Sequence, residues 1–173
     1  MNYQFRKASI LDKNQIWEIL QQAILRRKNE GSLQWQDGYP NLDIIQHDIE
    51  NEVAFVLYLQ NTIVGYCAIM INNEPAYSNI DGKWQSNSDF VVFHRIAISE
   101  AFLKKGLSRI ILQNIETFAQ NNHIYSIKAD TNFDNQAMLH LFEKSGYLYC
   151  GEVFFRGFPR KAFEKVLLEK KLL

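Results

Sequence analysis

Cysteine is scarce in this chain of 173 residues: Cys67 and Cys150 are its only two. They are too few for a disulfide framework and match no metal-ligand spacing, so we expect core thiols, no metal and a reducing compartment. An excess of charge of one sign is also missing. Nineteen basic residues balance nineteen acidic ones, and no long-range positive field recruits nucleic acid or an anionic membrane. Long apolar runs are absent too. The longest strongly apolar one, residues 53–59, is far too short to cross a bilayer, and the opening Met-Asn-Tyr-Gln-Phe-Arg-Lys holds no apolar leader segment. Together these absences give the expectation of a soluble, cytoplasmic protein without nucleic-acid or membrane partners. The phosphate-loop pattern GxxxxGKS/T and the dinucleotide pattern GxGxxG are both missing, as are internal repeats and low-complexity linkers.

What is present is apolar substance: 47% of the residues are hydrophobic and 13% aromatic, enough for one substantial core and too little for two domains. Residues 3–7 alternate as a short strand, and Asp12 stands where it can cap a helix or favour its first turn. Ile16, Ile19, Leu20, Ala23 and Ile24 recur at the spacing of one buried helical face, which Gly31 ends after Arg26, Arg27 and Lys28. The turn-rich residues 34–40 carry Trp35 and Tyr39, and Leu42, Ile45 and Ile49 outline a second helix. Residues 53–60 and 63–71 read as a hairpin around Asn61-Thr62. An irregular excursion, residues 72–89, holds Glu74, Pro75, Gly82 and the exposed-looking Tyr77 and Trp84. A strand over 90–98, a helix over 105–121, a strand over 125–130 and a helix over 135–145 follow, with strands over 147–154 and 162–168. Asp130 and Asp134 are expected to cap or brace the helix over 135–145.

Two segments carry the chemistry. The first, His94-Arg95-Ile96-Ala97-Ile98-Ser99-Glu100-Ala101-Phe102-Leu103-Lys104-Lys105-Gly106-Leu107-Ser108-Arg109, runs from a strand through a short loop into a helix amino terminus. Free N–H groups of a first helical turn, the positive end of the macrodipole, a glycine and neighbouring lysines form a cradle for a pyrophosphate. The second is Asn135-Gln136-Ala137-Met138-Leu139-His140-Leu141-Phe142-Glu143-Lys144-Ser145-Gly146-Tyr147, about 29 residues beyond Gly106. The pair, in this order and spacing, resembles the GNAT superfamily of N-acetyltransferases. Its acetyl-CoA signature, Arg/Gln-x-x-Gly-x-Gly/Ala, matches Leu103, Gly106 and Ser108. The later pattern, Asn, a small apolar pair, Leu-Tyr-Glu-Lys, any residue, Gly and an aromatic, matches the second segment.

The resemblance implies an α/β (α+β) fold, with a mixed, mostly antiparallel central sheet of about six to seven strands flanked by about four helices. Two central strands are splayed apart, and residues 1–173 form a single N-acetyltransferase domain. It implies an acyltransferase that moves an acetyl group from acetyl-CoA to the amine of a small molecule or peptide by direct attack on the thioester. Ile96, Ala97 and Ile98 would pair with the pantetheine amides. Leu103, Lys104, Lys105, Gly106, Leu107, Ser108 and Arg109 would hold the pyrophosphate, with Asn135 near the pantetheine arm. Leu103 replaces the usual Arg or Gln, Lys104 a frequent Gly, and Phe142 the tyrosine that many members use to protonate the departing thiolate. Loss of one general acid costs about 10²- to 10⁴-fold, but a thiolate with a conjugate-acid pKa of about 8.5 leaves tolerably unaided.

The attacking amine must lose a proton. Period-two alternation puts Val92, His94, Ile96 and Ile98 on one strand face, which makes His94 the first candidate base and Glu74 the second. Trp35, Tyr39, Tyr77 and Trp84, with Glu74, would wall an acceptor pocket suited to a small cationic or aromatic amine. A homodimer is among the assemblies the sequence allows. Two other readings stay open: a catalytically weak acyl-CoA-binding or sensing module of the same fold, and a nucleotide- or nucleic-acid-binding α/β domain, which the balanced charge disfavours.

Overall fold

Twelve regular elements follow one another in the computed structural model, which describes residues 2–168. They are β1 (Tyr3–Lys7), α1 (Lys13–Asn29), α2 (Leu42–Glu50), β2 (Ala54–Leu59), β3 (Thr62–Ile71), β4 (Asp81–Gly82), β5 (Phe90–Ile98), α3 (Leu107–Asn121), β6 (Ser126–Thr131), α4 (Gln136–Lys144), β7 (Leu148–Phe155) and β8 (Phe158–Val166). Strand order is β1-β2-β3-β5-β6-β8-β7-β4. The fold is the expected mixed, mostly antiparallel sheet with four helices, and the strand beyond the expected number is the two-residue β4. Residue 1 and residues 169–173, the ends of the expected domain, lie outside the described residues.

The chain divides into two compact units. The first holds the residues up to Ile69 and His94–Ile111; the second holds Met70–Phe93 and the residues from Leu112 on. Each has its own core. In the first, the stripe Ile16, Ile19, Leu20 and Ala23 of α1 meets Ile45, Ala54, Val56, Ile63, Tyr66 and Ala97, as three-and-four spacing on a helix and alternation on strands require. Gly31, with φ of 78°, ends α1 as Ser32 N–H donates to the carbonyl of Arg27. The Asn41 side chain starts α2 by accepting from the N–H groups of Asp43 and Ile44 at 3.1 and 3.0 Å. Asp12 stands at the N-cap of α1, but its side chain accepts no hydrogen bond from that helix. Its carboxylate instead takes the Arg6 guanidinium at 2.8 and 3.0 Å and the Ser9 N–H at 2.7 Å.

The hairpin of β2 and β3 pairs Leu59 with Thr62. Its turn is therefore Gln60-Asn61, one residue earlier than the sequence implied, with Gln60 at φ of 54°. In the second unit, β5 and β6 run parallel only from Phe90–Ser126 to Val92–Lys128, while β6 pairs antiparallel with β8 from Ser126 to Thr131. Strand β8 starts four residues before the expected 162, because Arg156-Gly157 forms a two-residue turn with both φ values positive (51° and 82°).

The excursion over 72–89 is anchored. Gly82 and Gly151 face each other across β4 and β7, and a Cβ on Gly82 would come within 2.2 Å of the Cys150 carbonyl oxygen. The buried Glu164 carboxylate accepts from the Gln85 N–H at 2.5 Å and from the Ser86 and Ser126 hydroxyls at 2.6 and 2.7 Å. Tyr77 is consequently buried, against the expectation that it is exposed. Both cysteines are buried free thiols, and burial pushes each up from its ordinary pKa.

Candidate active site

Arg95 breaks strand β5. Its φ is 58°, a left-handed conformation that costs a non-glycine residue about 1–3 kcal/mol unless its surroundings fix it. The alternation that would put Val92, His94, Ile96 and Ile98 on one face is interrupted there, which corrects the expected register. Beyond the break Ala97 enters the core of the first unit, and Ile98 turns the other way, toward Ile111, over the Gly65 backbone.

The Arg95 guanidinium points into that first unit and is almost wholly buried. Nε and Nη2 donate to Oδ2 and Oδ1 of Asp48 at 3.0 and 2.8 Å, and Nη1 donates to the Tyr39 hydroxyl at 2.5 Å. The Tyr66 hydroxyl of β3 donates to the same Asp48 carboxylate. Desolvation pulls the guanidinium down, but Tyr39, Tyr66 and Asp48 outweigh it and the net shift is upward, so Arg95 stays charged. Burial drives the Tyr66 phenol well above its usual range. Sequence reasoning missed this cluster. The available signal was an arginine inside the apolar run Phe93 to Ile98, which demands a buried acid, but nothing local says which acid.

After β5 the chain makes a 3₁₀ turn, Glu100–Phe102, tied to α1 through the Glu100 carboxylate on Arg26 (2.5 Å) and the Glu100 N–H on Gln22 (2.8 Å). Lys104 (φ 60°) and Gly106 (φ 74°) then turn left-handed. The Gly106 carbonyl accepts from the N–H groups of Arg109 and Ile110, so the N–H groups of Leu107 and Ser108 precede the ladder of α3 and have no helical partner. Lys104, Lys105, Gly106 and Arg109 are exposed, Leu103 half-buried and Leu107 buried. The Lys105 ammonium lies 4.7 Å from the Phe102 ring centre. A Cβ at Gly106 would meet nothing within 4 Å. Open space, leading N–H groups and three exposed cations fit a diphosphate.

The remaining candidates divide between the units. Trp35 and Tyr39 join His94 and the cradle in the first; Glu74, Tyr77, Trp84, Asn135 and Phe142 belong to the second. Trp35, itself left-handed at φ of 64°, packs on the core of the first unit. Glu74 caps a 3₁₀ turn, its Oε1 accepting from the Ala76 N–H at 3.3 Å. The Tyr77 hydroxyl donates to Asp130 at 2.7 Å, and the Trp84 indole donates to the Tyr77 carbonyl at 2.9 Å. Trp84 and Phe90 enclose the Lys128 ammonium at 4.6 and 4.4 Å, and desolvation lowers that lysine. Asp130 is thus engaged by Tyr77 and by Arg160 (3.3 Å) and does not cap α4. Asn135 caps it, accepting from the Met138 N–H at 3.2 Å. Phe142 is fully buried among the rings of Phe93, Tyr147 and Phe163, at 6.2, 5.2 and 4.9 Å between centres.

Comparison with known proteins bears on this geometry. The model of the Acetyltransferase (GNAT) family matches residues 16–147. An acetyltransferase of the GNAT family from Streptococcus agalactiae superposes with a TM-score of 0.87 at 35% identity, covering 95% of both chains. A Salmonella typhimurium protein assigned provisionally as an acetyltransferase, solved with its cofactor acetyl-CoA, shares the fold. Its TM-score is 0.70 at 17% identity, over 100% of this chain and 98% of that one. Streptothricin acetyltransferase A of Bacillus subtilis is 23% identical over 115 residues. That match takes in 66% of this chain and 57% of the relative's length.

Proposed function

The chain belongs to the acetyltransferase (GNAT) family, and from that premise we propose that it is an acetyl-CoA-dependent N-acyltransferase acting on the amine of a small molecule or peptide. The observation that carries this reading is the left-handed turn at Lys104 and Gly106 that feeds the amino terminus of α3, at the place of the family's acetyl-CoA signature. Bound there, acetyl-CoA supplies an activated thioester.

The chain's own residues do the rest. The N–H groups of residues 106–108 would hold the diphosphate, and Lys104, Lys105 and Arg109 would neutralise it. Leu107 anchors the loop by burial, with the half-buried Leu103 at the loop's start. The backbone of Ile96, Ala97 and Ile98 offers amide groups to the pantetheine arm, and Asn135 orders the start of α4. His94 takes the proton of the attacking amine, with Glu74 as the second candidate. Trp35 and Tyr39 are the first unit's candidates for aromatic surface toward an acceptor and Trp84 is the second unit's; there the buried Tyr77 packs on Trp84, 5.0 Å between ring centres. The whole acts as a single N-acetyltransferase domain of residues 1–173, in the cytoplasm, as a monomer or homodimer, without nucleic acid. No helix among the described residues is long and apolar enough to cross a membrane.

Phe142 favours a second reading. Fully buried, it offers no proton to a departing thiolate, and a weakly catalytic acyl-CoA sensor of the same fold would need none. Incubating the purified protein with acetyl-CoA and a broad panel of amines, while following thiol release and product mass, separates the two. Amine-dependent release with a mass gain of one acetyl group supports the enzyme; binding without turnover across the panel supports the sensor.

A further inference from the structure

A left-handed arginine in mid-strand relaxes to an extended conformation unless something fixes it. Here the side chain does so. Arg95 is bound at three nitrogens, two of them to Asp48 on α2 and one to the Tyr39 hydroxyl in the loop before α2. Asp48 is itself tied to Tyr66 on β3. The pair is nearly sealed from solvent, with side-chain exposures of 8% for Arg95 and 4% for Asp48, so salt does not screen it appreciably. On either side of the break stand His94, the proposed base, and Ile96, the start of the proposed cofactor edge. Rotation of the Arg95 backbone would turn one relative to the other. The Tyr39 ring, 5.8 Å from the guanidinium carbon, is also an acceptor-side aromatic.

We propose that Asp48, Arg95 and Tyr39 form a positioning clamp that holds the break in β5 and couples the aromatic loop to the groups flanking it. None of the three is assigned a contact with the reacting atoms by this inference, which rests on the acyl-transfer reading above. A purely structural ion pair would lower stability when broken and leave the working geometry of the folded fraction unchanged. A positioning clamp changes that geometry.

Three variants test it: Asp48→Asn, Arg95→Lys and Tyr39→Phe. Each is followed by amide hydrogen exchange at residues 94–98, by acetyl-CoA affinity and by steady-state kinetics. Asp48→Asn should accelerate exchange at residues 94–98 at least about tenfold while leaving β6 and β8 unchanged. It should lower kcat by about ten- to a hundredfold, with acetyl-CoA affinity within about threefold. Arg95→Lys keeps the charge but loses the fork, and should resemble Asp48→Asn rather than the parent. Tyr39→Phe should raise KM for the amine and spare kcat. Parental exchange at residues 94–98 in folded Asp48→Asn and Arg95→Lys overturns the clamp. If those two do not fold, Tyr39→Phe decides: parental exchange at residues 94–98 overturns it, whatever the amine KM, and faster exchange supports it. Should the parent turn over no amine, the acyl-transfer reading falls, while the exchange data still decide the clamp.

Discussion

Tyr147 carries a buried hydroxyl that has no hydrogen-bond partner among the described residues, and desolvation, assisted by Glu116, drives its phenol well above the usual range. An unsatisfied buried hydroxyl costs about 1–3 kcal/mol. Tyr147→Phe should therefore raise the melting temperature, and a lower one would reveal a partner for the hydroxyl. Asp12 is the opposite case. Hydrogen bonds from Arg6, foremost, and from Ser9 outweigh its burial and hold its carboxyl below the ordinary range. A carboxyl lowered by folding adds stability above its unfolded pKa of about 3.9 and loses it as pH falls through the folded value. Asp12→Asn should accordingly melt below the parent at neutral pH, and the gap should close below about pH 4; a gap constant down to pH 2 would mean that charge is not the cause. At His94 the proposed role is chemical. His94→Ala should depress turnover and alter its pH profile, whereas parental rates at every pH would move the role to Glu74.

The elements matter most where one ends and the next begins. At the head of α3 the φ of 74° at Gly106 asks for glycine, although a side chain there would meet open space. The cost of replacement is thus conformational, about 1–2 kcal/mol for most L-residues and less for Asn. Gly106→Asn should bind acetyl-CoA within a few-fold of the parent, while β-branched Gly106→Val should raise the dissociation constant more than about tenfold. Titration calorimetry measures both, and equal affinities would detach the cradle from the cofactor. The amphipathic stripe of α1 and the Asn135-to-Gly146 span of α4 were legible in the sequence, because helical periodicity and caps are local. The Arg156-Gly157 turn was not. Arginine rarely takes positive φ, and it does so here with two strands pairing on either side.

For the whole molecule, a ligand that binds only the folded state stabilises it, by about 2.7 kcal/mol at a hundredfold excess over its dissociation constant. Acetyl-CoA should raise the melting temperature by several degrees and ATP should not. Equal shifts would favour a general nucleotide-binding domain; no shift with acetyl-CoA would remove the cofactor assignment. Balanced charge adds that this binding should weaken with salt only through the local cations Lys104, Lys105 and Arg109.

The sequence by itself determined the order of the four helices and the longer strands, and the family. These rest on periodicity, on helix caps and on two motifs, each written in consecutive residues. Tertiary structure alone decided that Arg95 breaks β5 against Asp48, that Asp130 serves Tyr77, and that Glu164 anchors the excursion. In each of these a buried charge or polar group takes a partner far away in sequence. A charge removed from water must be paired wherever the fold permits, and no local pattern records the choice.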